Sequence, residues 1–308
     1  MEYSETGLVI NGKSFNNGSI IVAGEDDRIE IEGTIFRGYA EISKENGKLL
    51  VINNIGLEEC VYSHVGRELS AVSPSEALKA QAVAARTFLL HEKQSYKNKD
   101  YDLNNLEKSR TYFGVSFENP QSIKATDNTA GIIVKYKGER AFTPYFANCG
   151  GYTEDVAEIW GAKMPYLSPV PCFFCKNGRH YTWEAEIQED HIVASLNKKG
   201  YKVTSVSDIN PRHEVTKSGR AKKIKLITNS GEIVIDLENF RQLVGYNLLK
   251  SARSLTARPR GGKFKFTGKG WGHGTGMCQE GAEGMAREGH KFKEILRRYY
   301  PGTEISSK

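Results

Sequence analysis

One segment of the chain, residues 77–90, is apolar almost all the way round a helix. Its apolar members are Ala77, Leu78, Ala80, Ala82, Val83, Ala84, Ala85, Phe88, Leu89 and Leu90. A helix without a polar face is stable in water only when other elements cover it on every side, so the sequence predicts a helix buried in a core. Lys79, Gln81 and Arg86 interrupt this helix. The two cations then need a carboxylate or an anionic ligand as partner, unless both extend to the surface along one edge.

Two helices are predicted in this part of the chain. The buried one begins at residues 73–76, where Ser73 is a candidate cap, Pro74 suits the first helical position and Glu76 completes a capping box. It runs to about Gln94. An earlier helix, from about Leu57 to Leu69, carries an apolar stripe at spacings of four residues, formed by Leu57, Val61, Val65 and Leu69.

The other predicted elements do not alternate regularly. Short aliphatic runs separated by turn signals predict strands in the first fifty residues, strands recur from residue 131 onward, and the last forty residues are helical. This order predicts an α+β fold with mostly antiparallel sheets, in which the buried helix and the C-terminal helices surround a substrate cleft. We expect a β-rich region over residues 1–55 and a catalytic domain over residues 56–308, packed as one unit.

The composition excludes several classes of protein. No run of about 18 apolar residues is present, so no segment is long enough to span a bilayer. The start of the chain lacks the basic and apolar parts of a secretory signal, and any such signal is expected to lie outside this sequence. The net charge of +6 suits an anionic partner, either nucleic acid, an acidic membrane surface or an acidic polysaccharide. The basic stretch over residues 250–269 contains no nucleic-acid-binding motif, and we expect no nucleic-acid partner and a monomer.

Glu68 is the candidate catalytic residue. It follows Val65 by three residues, which places its carboxyl on or beside the apolar stripe of the first helix. A carboxyl in an apolar setting keeps its proton more readily, which suits a general acid. The alternative is a glutamate at the end of a short helix that reaches solvent.

Residues 268–276 alternate glycine with larger side chains. This period predicts a strand with one bare face and one face that presents Lys269, Trp271, His273 and Thr275. Such side chains can stack on a sugar ring and bind its hydroxyls. The alternative is a tight packing seam against another strand. The following residues, 277–282, are expected to begin a helix whose N-terminus faces the same site.

Five cysteines are an odd number, so they do not form a complete disulfide framework. Cys172 and Cys175 are separated by two residues, His180 follows, and Cys149 precedes them. Three thiolates and one imidazole are a sufficient tetrahedral set for structural zinc. The alternative is a Cys172–Cys175 disulfide with Cys149 free. Cys60 and Cys278 are interpreted as small buried residues.

Four stretches of the sequence together resemble the stage II sporulation protein D family of lytic transglycosylases, also called the LytB-like family. They are residues 57–61 with 66–69, residues 76–87, residues 150–154 with Trp160 and Gly161, and residues 270–277 with Gln279, Gly281 and Ala282. Residues 299–303 are similar to the closing motif of the family. The resemblance extends from about residue 30 to residue 305.

The resemblance implies cleavage of peptidoglycan strands between N-acetylmuramic acid and N-acetylglucosamine, with Glu68 at the catalytic position. One carboxyl suffices, because the C6 hydroxyl of muramic acid closes on its own C1 to give a 1,6-anhydro end. The usual Gly-Glu-Met of the family is Arg67-Glu68-Leu69 here, a departure from the pattern. Some members bind zinc through a loop that matches residues 103–112, but this loop has neither cysteine nor histidine, so that zinc site does not transfer.

Further expectations follow from the resemblance. The residues expected to bind substrate are Lys79, Gln81, Arg86, Thr153, Trp271, His273 and Gln279. An amidase is the expected partner, glycan strands with or without peptide stems are the expected substrate, and the location is extracytoplasmic. Two alternatives stay open: a non-catalytic peptidoglycan-binding module, and a zinc amidase, which would need an open metal position.

Overall fold

The computed structural model of the protein describes residues 2–4, 7–10, 13–15, 18–104 and 112–307. The chain divides into two units. The first consists of Met1–Val134, Arg140–Phe142 and Ser306–Lys308, and the second of Lys135–Glu139 and Thr143–Ile305. Most of the loop matched to the family zinc loop, residues 105–111, lies outside the described residues.

The first unit begins with strands, in agreement with the β-rich region predicted for residues 1–55. They are β1 (Glu2–Ser4), β2 (Gly7–Ile10), β3 (Lys13–Phe15), β4 (Ser19–Ile31), β5 (Thr34–Glu45) and β6 (Lys48–Asn54). They form two antiparallel sheets, each with its three strands in chain order. Asn46 and Gly47 both have positive φ, which is the geometry of a tight hairpin turn between β5 and β6.

Three helices follow in the same unit: α1 (Leu57–Glu68), α2 (Ser75–Glu92) and α3 (Pro120–Asp127). Val61 and Val65 of α1 are fully buried, as the apolar stripe predicts. Helix α2 is buried along most of its length, because its alanines let neighbouring elements approach closely on several sides. Its start differs from the prediction by one residue: Pro74 occupies the capping position, and the helix begins at Ser75. The division between residues 1–55 and 56–308 stays a prediction.

The chain passes from the first unit to the second within β7 (Ile132–Tyr136). The remaining strands are β8 (Glu139–Arg140), β9 (Tyr145–Phe146), β10 (Thr182–Gln188), β11 (Val206–Val215), β12 (Ala221–Thr228), β13 (Gly231–Asp236), β14 (Arg253–Pro259), β15 (Lys263–Lys269), β16 (Met277–Cys278) and β17 (Glu304–Ser307). The remaining helices are α4 (Val156–Trp160), α5 (Glu189–Lys198), α6 (Leu237–Val244), α7 (Gln279–Arg287) and α8 (Phe292–Tyr299).

Two antiparallel sheets build the core of the second unit, with strand orders β10-β15-β14 and β11-β12-β13. Trp183, Phe240 and Phe266 lie in a core that includes apolar residues of both sheets and of α5 and α6. Strands β9 and β16 pair in parallel. The predicted α+β fold with mostly antiparallel sheets is confirmed. No helix in the described ranges is both long and apolar enough to cross a membrane.

Candidate functional site

Glu68 is the last residue of α1, and its side chain is half-buried. The amide of Leu69 donates a hydrogen bond to the carbonyl of Val65, which closes the helix directly after the glutamate. Val65 and Leu69 are both buried. The carboxyl therefore begins beside the apolar stripe of α1, as its spacing predicts, at a point where it can still reach solvent.

Close packing holds the end of α1 that carries Glu68. A Cβ atom on Gly66 would come within 2.0 Å of the carbonyl oxygen of Phe117, so only glycine permits this approach. The Arg67 guanidinium lies over two aromatic rings, 5.1 Å from the centre of Phe113 and 4.9 Å from that of Phe117. Such contacts restrain the arginine and the helix end beneath it. Arg67, where the family usually has glycine, thus has a structural contact here.

Arg86 is fully buried in α2 and is bound by the protein itself. Its Nε donates to both carboxylate oxygens of Glu58, at 2.9 and 3.0 Å, and Nη2 donates to Glu58 Oε2 at 2.5 Å. Nη1 and Nη2 also donate to the carbonyls of Ile132 and Thr126. Every nitrogen of the guanidinium is engaged by the protein, and substrate binding by Arg86 stays a prediction. The carboxylate partner that its burial demanded is Glu58.

The other two polar residues of α2 differ in exposure. Lys79 Nζ lies 2.7 Å from Glu76 Oε1, one turn away on the same helix, and both side chains are about one-fifth exposed. Glu76 therefore pairs with Lys79, and its predicted role in a capping box stays a prediction. Gln81 is fully buried. Substrate binding by Lys79 and Gln81 stays a prediction.

The glycine-rich segment is not the strand that its alternation predicted. Strand β15 ends at Lys269, and Gly270, Gly272, Gly274 and Gly276 all have positive φ, a conformation that strands do not use. The segment instead packs closely against other parts of the second unit. At Gly274, for example, a Cβ atom would lie 2.4 Å from Cζ of Arg220. The glycines are needed for turning and close approach, and no flat sugar-binding face results.

His273 is held inside this segment by its own backbone contacts. Its Nε2 lies 3.1 Å from the carbonyl of Tyr145, and its Nδ1 accepts a hydrogen bond from the amide of Thr275 at 3.1 Å. The imidazole is therefore neutral, with its proton on Nε2, and burial lowers its pKa to about 4. Both ring nitrogens have partners in the protein backbone, and substrate binding by His273 stays a prediction.

The remaining expected binders are placed as follows. Thr153 is buried and exchanges hydrogen bonds with the backbone of Val170. Gln279 is buried at the start of α7. Trp271 is half-buried, with the His180 ring edge-on at 4.6 Å and the Lys250 ammonium 4.9 Å from its ring centre. Substrate binding by these three residues stays a prediction.

Four buried cysteines form a cluster in the second unit. The sulfur atoms of Cys149, Cys172, Cys175 and Cys278 all lie within 4.8 Å of one another. None of the five cysteines, all of which are described, forms a disulfide, so the alternative of a Cys172–Cys175 disulfide is not what the structure contains. Cys60, the fifth, is a buried residue of α1, as predicted. Cys278, interpreted from the sequence as a small buried residue, is buried but belongs to the cluster.

His180 is not the fourth member of this cluster. Its Nδ1 lies 2.6 Å from Glu280 Oε1, and the other oxygen of Glu280 accepts a hydrogen bond from Asn148 Nδ2 at 2.6 Å. The imidazole thus has a carboxylate partner of its own. The predicted set of three cysteines and His180 is corrected to four cysteines, and the physical reason is that Cys278 at the start of α7 occupies the fourth corner.

Backbone and hydroxyl donors surround the sulfur atoms. The amides of Cys149 and Gly281 donate to Cys278 Sγ at 3.2 and 3.3 Å, and the Tyr299 hydroxyl lies 3.1 Å from Cys172 Sγ. A side chain at Gly281 would come within 2.7 Å of Cys172 Sγ. Donors of this kind stabilise thiolates, which are the form that binds metal. The four buried cysteines are close enough to hold a metal ion.

Sequence reasoning missed Cys278 and the Glu280–His180 pair. Cys278 lies far along the chain from the other three cysteines, and no local spacing connects it to them. The odd cysteine count was the available signal, since a set of four leaves a single cysteine over. Glu280 follows Cys278 by two residues on α7, and only the fold shows that it reaches His180.

Comparisons with known proteins match two family models to different parts of the chain. A family model described as stage II sporulation protein matches residues 45–136, and a second, described as a domain of unknown function (DUF8618), matches residues 173–276. The chain is 34% identical over 286 residues to an uncharacterized protein of Brachyspira hyodysenteriae, covering 92% of this chain and 76% of the relative.

Two named relatives are also similar. The stage II sporulation protein D of Bacillus amyloliquefaciens is 30% identical over 274 residues, covering 83% of this chain and 75% of the relative. The amidase enhancer of Bacillus subtilis is 28% identical over 288 residues, covering 79% of this chain and 40% of that longer protein. Identity of 30% to the former over most of both chains, together with the family model across α1 and α2, shows that the protein belongs to the stage II sporulation protein D family.

Proposed function

We propose that the protein is a peptidoglycan lytic transglycosylase in which Glu68 is the single catalytic acid and base. Membership of the family supports this proposal, and the half-buried position of Glu68 at a well-packed helix end fits a carboxyl that must be held in place near solvent.

The observation that carries the proposal concerns Glu58, Glu154 and Asp155, three acids in or next to the family motifs that are the first candidates for a second catalytic carboxylate. Glu58 binds Arg86 and the amide of Gly131. Glu154 is buried and accepts hydrogen bonds from the hydroxyls of Thr216 and Ser218. Asp155 caps α4 through the amide of Ala157. Each of these candidates for a second catalytic carboxylate has a structural role, which favours chemistry that needs one carboxyl.

Lytic transglycosylation is such a chemistry. Glu68 would donate its proton to the glycosidic oxygen as the bond to C1 of muramic acid breaks, and then accept the proton of the C6 hydroxyl as that oxygen bonds to C1. No water is consumed, because the intramolecular hydroxyl takes the place of an external nucleophile. An ordinary glycosidase would need a second carboxylate to activate water or to form a covalent intermediate.

Replacement of the catalytic carboxyl tests this role. Glu68→Gln should lower the rate of glycan cleavage by at least about 100-fold, because the amide keeps the shape but has no proton to relay. Glu76→Gln is the matched control, since Glu76 pairs with Lys79 and should leave the rate almost unchanged. Rates are measured on purified strands, with circular dichroism to verify folding. A Glu68→Gln rate above about a tenth of the wild-type rate would exclude this role.

Mass spectrometry of the digest separates the proposal from its rivals. A 1,6-anhydro end is one water lighter than a hydrolysed end, so the products differ directly in mass. Reducing ends would mark a hydrolase, and released peptides an amidase. Strand binding without any cleavage would support a non-catalytic binding module instead.

We further propose that the cysteine cluster holds one structural zinc ion. In a tetrahedral site with Zn–S bonds of about 2.3 Å, the sulfurs lie about 3.8 Å apart, which agrees with four sulfurs within 4.8 Å of one another. Four cysteines fill all positions, so the ion would join parts of the second unit and leave no place for a reactive water. A site with four cysteine ligands argues against the zinc amidase alternative, because a catalytic zinc needs an open position for water.

Metal analysis of the purified protein tests the ligand set. We expect about one zinc per chain in the wild type, its loss in Cys278→Ser, and its retention in His180→Ala. His180→Ala is the matched control, because the imidazole lies near the cluster but binds Glu280. If Cys278→Ser keeps its zinc and His180→Ala loses it, the ligands are the three cysteines and His180 that the sequence predicted. A wild-type protein without zinc would contradict the proposal of a zinc site.

The proposed substrate also suggests where the protein acts and which partner it has. Peptidoglycan lies outside the cytoplasmic membrane, so an active enzyme would act in the periplasm or cell wall. An amidase that removes peptide stems would be a natural partner, since it would expose the glycan strand. We propose a monomer as the active form.

A further inference from the structure

One end of the sheet β10-β15-β14 carries two cations directly opposite each other. Arg253 of β14 pairs in register with Lys269 of β15, and residues paired in this way project from the same face of an antiparallel sheet. Thr182 of β10 pairs with Lys269 on its other side. Like charges placed opposite each other across two strands destabilise a sheet. An arrangement of this kind suggests a ligand of opposite charge.

Each cation lies over a tyrosine ring. The Arg253 guanidinium is 5.8 Å from the centre of Tyr152, and the Lys269 ammonium is 5.6 Å from that of Tyr181. Within the described part of the chain, neither cation has a carboxylate at ion-pair distance. Nε and Nη1 of Arg253 are buried and have no hydrogen-bond partner there. Both side chains are half-buried, so they are positioned but not neutralised.

Three other cations of this sheet are paired with acids, whereas exposed Arg258, opposite Lys265, has no ion pair within the described residues. Lys265 Nζ lies 2.8 Å from Glu184, and Lys263 and Arg260 both pair with Glu186. Glu184 and Glu186 of β10 thus form ion pairs with cations toward the other end of the sheet. The end with Arg253 and Lys269 keeps its positive charge. Buried Arg220, which forms a backbone bridge with Arg253, adds to it, although Glu154 lies close enough to offset part of this charge.

A groove lies at this end of the face. Its volume is about 480 Å³, and its lining includes Thr182, Glu184, Ser254, Thr267 and Lys269. Arg253 adjoins the groove next to Ser254 and is not part of the lining. The strand pairing is irregular between Arg253 and Thr256, and Ser254 has a φ of 50°, which is rare outside glycine. Bulges and residues in such strained conformations concentrate at functional sites.

We propose that this groove is a second glycan subsite in which Lys269, with Arg253 beside it, binds the carboxylate of an acidic sugar. The threonine and serine hydroxyls of the lining would bind sugar hydroxyls, and Tyr152 and Tyr181 hold the two cations in place. The inference rests on the proposed glycan substrate but involves no catalytic step. It names the feature that the site recognises, which is the lactyl carboxylate that distinguishes muramic acid from N-acetylglucosamine.

A binding comparison between two tetrasaccharides tests the subsite. One contains N-acetylmuramic acid and the other is neutral chitotetraose, and both are titrated calorimetrically into the Glu68→Gln protein. The double variant Arg253→Gln/Lys269→Gln should weaken binding of the muramic tetrasaccharide about tenfold or more, because the charge-assisted contact of Lys269 and the adjoining positive charge of Arg253 are both lost. Binding of chitotetraose should be weaker from the start and should change little.

The matched control is Arg260→Gln/Lys263→Gln. It removes the same charge from the same face, where both cations already pair with Glu186, and should change binding less than threefold or so. Thermal melting verifies that both double variants fold. If Arg253→Gln/Lys269→Gln does not fold, the single variant Lys269→Gln is used for the same binding measurement. Wild-type affinity in the groove variant, equal losses in both doubles, or equal binding of both tetrasaccharides would each overturn the proposal.

Failure of the subsite and failure of the proposed function give different results. Cleavage of the muramic tetrasaccharide by the Glu68→Gln protein, seen by mass spectrometry, would remove Glu68 as the catalyst and leave the binding result intact. Loss of the charge preference with normal Glu68-dependent cleavage would remove the subsite alone.

Discussion

The ring of His273 lies between those of Phe146 and Trp160, with 5.1 and 5.0 Å between ring centres. Burial lowers the pKa of this imidazole, and the nearby cations Arg220 and Arg241 lower it further. A protonated ring would also lose the hydrogen bond that Nδ1 accepts from Thr275. The histidine of the glycine-rich motif thus stabilises the fold in its neutral form.

A dependence of stability on pH follows. The folded-state pKa of about 4 lies below the ordinary 6.5, so between these values the unfolded chain binds a proton that the folded chain does not. The contribution of His273 to the free energy of unfolding is complete above pH 6.5 and falls as the pH drops toward 4, by up to about 3 kcal/mol.

Urea unfolding of the wild type and of His273→Asn at about pH 7, 5.5 and 4 measures this effect. The difference in unfolding free energy between the two proteins should shrink as the pH falls. His91, whose pKa burial also lowers, is present in both and cancels. Parallel losses in the two proteins would show that another group is responsible.

At the scale of elements, α2 shows how a helix without a polar face accommodates a charge. Arg86 crosses from α2 to Glu58 of α1, to the carbonyl of Thr126 in α3 and to that of Ile132 in β7. One guanidinium therefore joins four elements of the first unit. The sequence predicts that Arg86 interrupts a buried helix and needs a partner, but the partners themselves lie far from Arg86 in the chain.

Arg86→Leu should therefore destabilise the protein by about 3 kcal/mol, because it leaves Glu58 and two carbonyls without their donor. Lys79→Gln is the control on the same helix. Its pair with Glu76 is partly exposed, and its loss should cost less than about 1 kcal/mol. Thermal or urea unfolding measures both. An Arg86→Leu protein with normal stability and impaired glycan binding would support the substrate-binding role that the sequence predicts for Arg86.

At the scale of the whole molecule, each of the two family models lies largely within one of the two units. The stage II sporulation protein model covers residues 45–136, which include all three helices of the first unit, whereas the model of unknown function covers residues 173–276 of the second. Glu68 lies in the range of the first model, and the two cations of the groove lie in the range of the second. Of the four clustered cysteines, only Cys175 lies within that second range.

The net charge of +6 is likewise distributed by the fold. Several cations of the basic stretch are neutralised by acids on neighbouring elements, among them Lys263 and Lys265. The sequence shows how many charges there are, but strand register decides which of them meet. Arg253 and Lys269 remain together because register places them opposite each other and places the two glutamates farther along β10.

The sequence by itself determined the features that depend on local pattern. The α+β fold class, the buried alanine-rich helix and the stripe of α1 with Glu68 beside it all follow from periodicity, because side-chain direction repeats along a helix or strand. Tertiary structure alone decided the rest. The fourth cysteine, the neutral state of His273, the partner of Arg86 and the unpaired cations all depend on contacts between residues far apart in the chain, and no local pattern records these contacts.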